Sequence, residues 1–352
     1  MMTSEKDPHI QSLRGLAVLL IVAGHAGFFY QVFAHDYGHG EATFDTWLDT
    51  FFIWSMDVRM PLFTIISGFI YAHRPVRRGS FAKFGRGKAR RIGVPLLFLL
   101  ILEFFFVRWR QGRVEDPYPP VVGALDYFLL VPACHLWFLY AILWIFLLVA
   151  VLDWLAVMDR ILGWLAVLVF ACVGNLQGIP YWGMATVFGK EIPNYLGYAS
   201  FLYLCPFFFL GLGLHRFRKQ VLRKEVVLAV AVILIGRIIW AGELRSRISH
   251  TQIALLTSLT STYLFLALRW RFGPLAWLGE YSYPIYLFHG YAIFLVFEAV
   301  YRVVGLPPYT PFALGATVVA VLLPIALFHG LSRVPIARML FLGLKPFRSG
   351  KT

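Results

Sequence analysis

The sequence predicts an all-α, polytopic transmembrane helical bundle of about ten spans, with both termini in the cytoplasm. Three observations carry that prediction. Hydrophobic residues make up 59% of the 352 and charged residues only 14%, about half the charged share of a soluble domain. Apolar stretches near the roughly 20 residues needed to cross about 30 Å of hydrocarbon recur along the whole length. The 32 Lys and Arg fall between those stretches, and mostly between alternate pairs of them.

Taken in order, the apolar segments are 13–33, 50–72, 92–108, 133–152, 160–174, 196–214, 226–242, 251–268, 277–300 and 312–332. The first follows a hydrophilic leader, Met1 to His9, and no small-residue cleavage site follows its apolar run, so it reads as retained. The fifth is short and sits in a Gly/Pro/aromatic neighbourhood, which makes it the span expected to be tilted or broken. No internal repeat and no soluble domain are expected, leaving one transmembrane domain over 1–352.

Orientation follows from the basic residues. With the N-terminus inside, the cytoplasmic loops hold 23 Lys and Arg against 8 on the other side, with Arg59 inside the second span. The net charge of +14 is therefore accounted for by an inner-leaflet surface, and nucleic acid is not expected as a partner. Cys134, Cys172 and Cys205 lie among apolar or aromatic residues without CxxC or ligand spacing and read as packing. His35, Asp36, His39 and Glu41 in HDYGHGE also lack a committed ligand spacing, so no metal is expected.

Ionisable residues inside spans cost about 3 kcal/mol each on insertion scales, which makes each a candidate for function. His25, Arg59, Glu103, Arg237 and His289 lie about 11 to 13 residues from the cytoplasmic end of their spans, or roughly 16 to 20 Å deep at 1.5 Å per residue. Five spans thus bring polar groups to one layer. Arg14 precedes His25 by eleven positions, about 20° more than three helical turns, so both face one way about 16 Å apart. That vertical pair suits a long, thin substrate with an anionic end at the surface and a reactive end in the membrane, and coenzyme A thioesters have that shape. Histidine is suited to take a proton from a hydroxyl near neutral pH, or to carry an acyl group transiently. In the loop HRPVRRGSFAKFGRGKARR, Lys88, Arg90 and Arg91 run directly into the third span, where a nucleotide phosphate would dock.

Other candidates have plainer readings beside the functional one. His135 and Trp137, near the outer mouth of the fourth span, suit sugar binding or an interfacial aromatic belt. Ser282, Tyr286 and His289 share one helical face, lining a cavity or forming an interhelical seam. Glu103 is a substrate-binding candidate or a helix-pairing ion. Ser67, followed by Gly68, is a substrate-site candidate or a place of close helix approach.

These residues resemble acyltransferase family 3 of integral membrane O-acyltransferases. SLRGLAVLLIVAGH is similar to the family's basic residue, ten spacers and histidine, on Arg14 and His25. FTIISGF resembles its SGF signature on Ser67, Gly68 and Phe69, and KARRIGVP its RxxR element, with Lys88 in the first arginine position and Arg91 in the second. HLWFL (135–139) and SYPIYLFH (282–289) resemble later blocks. The second-span context VRMPLFTIISGF looks closest to the branch with periplasmic-glucan succinyl-modifying proteins. The resemblance implies transfer of acetyl, or next succinyl, from cytoplasmic acyl-CoA to a glycan or lipid-linked sugar at the bacterial inner membrane. Arg14, His25, Arg59 and His289 would then be catalytic, and Arg14, Lys88, Arg90 and Arg91 would hold the donor. His135, Trp137, Tyr286, Glu103 and Ser67 would meet the acceptor, with polysaccharide-assembly proteins and membrane lipid as partners. The rival readings are a secondary transporter of a glycan or small anion, and an inactive scaffold of a polysaccharide assembly complex.

Overall fold

The computed structural model describes residues 7–39, 47–76, 79–111, 134–177, 179–180, 184–187, 190–193, 195–240 and 250–345. Glu41, Arg77, Arg78 and the side chain of Cys134 lie outside the described residues.

A helix covers each apolar segment. In order they are α1 (Pro8–Asp36), α2 (Trp47–Tyr71), α3 (Phe81–Lys88), α4 (Val94–Gln111), α5 (Trp137–Trp154), α6 (Ile161–Gln177), α7 (Tyr198–Arg216), α8 (Arg218–Val221), α9 (Lys224–Ile239), α10 (His250–Ala267), α11 (Gly273–Glu280), α12 (Ser282–Val304), α13 (Tyr309–Leu331) and α14 (Pro335–Leu340). Of these, α1, α5, α7, α12 and α13 are long and apolar enough to cross a membrane. The chain is a multi-pass membrane protein. Large apolar side chains stand exposed on the outward faces of the bundle, including Phe170 at 78%, Leu162 at 76% and Leu228 at 65%, where an aqueous protein would place charge.

The first helix starts earlier than its apolar run. The Asp7 side chain accepts from the His9 N–H at 3.0 Å, and Pro8 at the first position has no N–H to leave unpaired.

One expectation is corrected. The ninth segment, read as one span over 277–300, breaks at Tyr281 into α11 and α12. Pro284 causes the break: it has no N–H for the Glu280 carbonyl, and its ring crowds that carbonyl, so α11 ends at Glu280. The bundle is all-α, and the connection after α6 carries a small three-stranded antiparallel meander, β1 (Ile179–Pro180), β2 (Met184–Val187) and β3 (Lys190–Pro193), in the order β1-β2-β3. Ile179 faces Thr186, and Ala185 faces Ile192. Strands of two to four residues are too short for their alternation to be read in a sequence. The broken element is therefore the connection after the fifth segment, while α6 itself is one continuous helix.

Two helix pairs approach closely through reciprocal glycines. A Cβ at Gly68 of α2 would collide with the Phe208 carbonyl of α7, and one at Gly211 of α7 with the Ile65 carbonyl of α2. Gly15 of α1 and Gly279 of α11 stand in the same relation to the carbonyls of Leu275 and Gln11. Backbones this close gain dispersion contact that larger residues would prevent.

Both described chain ends meet one face of the bundle. Arg269 lies 3.3 Å from the Asp7 carboxylate, the Tyr283 hydroxyl donates to the Arg91 carbonyl at 2.6 Å, and Gly343 packs on the backbone of Arg90 and Arg91. This is the basic end, and it carries Lys88, Arg216 and Arg218 as well.

Candidate active site

The site grows from α1 and α12, which meet at two levels. Near the basic end the Arg14 Nε–H donates to the Ser282 hydroxyl at 3.1 Å. Deeper in the bundle, His25 Nδ1 lies 2.7 Å from His289 Nε2, with the two rings stacked at 5.0 Å and 14°. The levels are eleven residues apart on α1 and seven on α12, about 6 Å of difference in rise, which the long arginine side chain and the crossing of the helices absorb.

The protonation of this pair follows from the backbone. His289 Nδ1 lies 2.8 Å from the Tyr286 carbonyl and 3.1 Å from that of Ile285. A carbonyl only accepts, so Nδ1 carries the proton, and in neutral His289 the Nε2 lone pair must accept. His25 Nδ1 is therefore the donor, and His25 Nε2 is left with an unshared pair. His289 is fully buried, while His25 is half-buried and stacks on Phe29 at 5.5 Å.

Arg59 reaches this level from α2. A Cβ on Gly24, the residue before His25, would overlap the Arg59 guanidinium, so the absence of a side chain at Gly24 admits the cation beside the turn of α1 that carries His25.

His135 is the third histidine of the cluster. The sequence placed it near the outer mouth, but the structure buries it at 2% exposure with its ring 5.0 Å from His289, edge to face at 75°. Its Nε2–H donates to the Leu287 carbonyl at 3.1 Å, and the Tyr286 hydroxyl donates to the His135 carbonyl. A short 3-10 turn, Cys134–Leu136, aims the ring inward before α5 begins. Gly290 leaves the room it occupies, since a Cβ there would press on His135 Nδ1.

The remaining candidates are more dispersed. Tyr286 is buried between His135 and Phe63, and half-buried Trp137 lies 6.5 Å from Tyr203. Glu103 is buried on α4, and its Oε2 has no hydrogen-bond partner among the described residues. Arg237 is buried near the end of α9. The Ser67 hydroxyl is turned onto its own helix, donating to the Phe63 carbonyl at 3.0 Å.

At the basic end, ARRIG (Ala89–Gly93) forms a π-helical turn between α3 and α4, a geometry concentrated at functional sites. Arg91 is exposed, and the buried Nε of Arg90 has no partner among the described residues. Lys88 stands over the Phe146 ring at 3.2 Å, a cation–π contact. The family model of an acyltransferase domain matches residues 8–329. The chain belongs to acyltransferase family 3. No curated protein and no solved structure matches it. As an acyltransferase of this family it is a membrane O-acyltransferase in general terms, and the histidine cluster and the π-helical turn both fall within the matched residues.

Sequence reasoning passed over one group. His73, Asp153, His215 and Arg216 line a cavity at the basic end, with the Tyr71 hydroxyl bonded to Asp153. In the sequence His73 reads only as the start of a basic loop, and Asp153, His215 and Arg216 lie at helix ends 80 or more positions further on. The packing of α2 and α5 on α7 brings them together.

Proposed function

We propose that the protein transfers an acyl group, acetyl first and succinyl next, from cytoplasmic acyl-CoA to a hydroxyl of an extracytoplasmic or lipid-linked glycan at the bacterial inner membrane. The observation that carries the reading is the hydrogen-bond chain from the carbonyls of Ile285 and Tyr286 through His289 to His25, which leaves His25 Nε2 as a base.

The step balances as follows. His25 Nε2 takes the hydroxyl proton as the sugar oxygen bonds to the thioester carbonyl carbon, and the carbonyl π electrons pass to its oxygen. Collapse of that tetrahedral oxyanion expels the coenzyme A thiolate, which recovers the proton from His25. Arg59, held against Gly24, is the cation nearest this chemistry and would stabilise the oxyanion. His289 does not touch substrate in this scheme. It is a positioning residue that fixes which nitrogen of His25 is free, and its stacked ring spreads the transient charge.

Arg14, Arg90 and Arg91, with Lys88 beside them, would hold the donor phosphates, and Arg14 also ties the donor end of α1 to Ser282. His135, Tyr286 and Trp137 supply the ring surfaces that a sugar would meet from the other side.

Replacing His25 by Ala removes the base. Glycan acylation is expected to fall by about 10²–10⁴-fold at unchanged membrane expression, measured by mass spectrometry of surface and periplasmic glycans. A variant with full acylation would end the mechanism, and acylation identical in a deletion strain would point to the scaffold reading.

A further inference from the structure

Between the ends of α2, α5 and α7 at the basic face lies a cavity of about 770 Å³. Its floor is a closed ion pair. Arg216 meets Asp153 through two bonds of 2.8 Å and also reaches the Met158 carbonyl, while the Tyr71 hydroxyl donates to Asp153 at 2.6 Å. Both Asp153 oxygens are occupied, which holds the floor firmly, and exposed Asp159 in the same lining approaches Arg216 at 3.9 Å. Beside the floor the rings of His73 and His215 lie 3.9 Å apart, tilted at 37°, and Phe69 of the SGF element braces His215 edge-on at 5.2 Å.

The two imidazoles offer more than surface. His73 Nδ1–H donates to the Phe69 carbonyl at 3.1 Å, so its Nε2 is an acceptor. His215 Nδ1 is buried and has no hydrogen-bond partner among the described residues. Half-exposed Trp154 adds a flat apolar wall, and Arg74 and Arg218 stand exposed at the ends of α2 and α7. A simple anion has no use for two neighbouring imidazoles and an indole. A lipid tail has no use for a polar floor and an orphaned ring nitrogen. A planar heteroaromatic base with an anionic tail uses all of them.

We propose that this cavity receives the adenine nucleotide end of the thioester donor, with the base against His73, His215 and Trp154. The assignment rests on the acyl-CoA reading above. The spacing agrees with it. His73 is fourteen residues from Arg59 on α2 and its extension, about 21 Å at helical rise. The pantetheine arm has about twelve bonds from its phosphate oxygen to sulfur, roughly 14 Å at the extension of a peptide chain, and the phosphates and ribose fill the remainder.

The test uses the full-length protein in lipid nanodiscs and adenosine 3′,5′-bisphosphate as probe. Saturable binding is expected for the parent and for His25→Ala, with binding weakened about tenfold or more in His73→Ala/His215→Ala. In the unaltered protein, bound probe should protect His73 and His215 from diethyl pyrocarbonate, read by peptide mass spectrometry, so the answer does not depend on the double variant folding. Absence of saturable binding, or both histidines modified equally with and without probe, overturns the assignment. Saturable, protecting binding alongside unaltered glycan acylation in His25→Ala would keep the nucleotide site and remove the catalytic reading instead.

Discussion

The histidine cluster in mid-bundle and the cavity at the basic end are built on opposite principles. In the cluster, ring nitrogens of His25, His135 and His289 are tied to one another or to carbonyls, and backbone fixes the proton positions. In the cavity the paired groups, Asp153 and Arg216, form the frame, and the rings beside them keep an unused nitrogen and open space. A base that cannot turn over is held through its other nitrogen, as His25 is through Nδ1, which leaves Nε2 as the one open position on that ring. Capture of a large ligand needs surface that is held firmly but left unsatisfied.

Separate substitutions can pull the two regions apart. The largest effect after loss of His25 itself is expected for His289→Phe. It keeps a stacked ring but leaves the His25 Nδ1–H without an acceptor, a loss of about 1–3 kcal/mol for a buried donor. Acyl transfer should fall about 10- to 100-fold in kcat with nucleotide binding unchanged, and an unaltered kcat would show that the tautomer is set elsewhere. Asp153→Ala should act on the other region. It strands a mostly buried Arg216 and removes the acceptor of Tyr71, an expected cost of about 3 kcal/mol, read as a lowered thermal midpoint. The smallest effect is expected for Gly24→Ala, which must displace the Arg59 guanidinium by the width of a methyl group. A roughly fivefold loss of kcat, about 1 kcal/mol of oxyanion stabilisation, with KM for donor unchanged would sharpen the assignment of Arg59 to the reaction centre.

The sequence announces what depends on period and depth. The eleven-residue step from Arg14 to His25 and the depth shared with Arg59 and His289 are periodic facts, and the contacts follow them. What lay hidden depends on single-residue geometry. Nothing in the string HLWFL says that a 3-10 turn will swing His135 into the core, and nothing in the ninth apolar run except Pro284 marks the break at Tyr281. The cavity was hidden for another reason. Its residues come from the ends of helices distant in sequence, and they meet because α2, at the Gly68 and Gly211 contact, and α5 both pack on α7. Gly68 and Phe69 were legible as a signature without being legible as the scaffold of a cavity.

The hydrogen bonds from His289 to Ile285 and Tyr286 end on main-chain oxygens, which every amino acid possesses. The side chains around this cluster can therefore change in size and polarity without disturbing the proton position on its central imidazole. Only an alteration of the α12 backbone itself, such as moving Pro284 by a turn, would rewrite it.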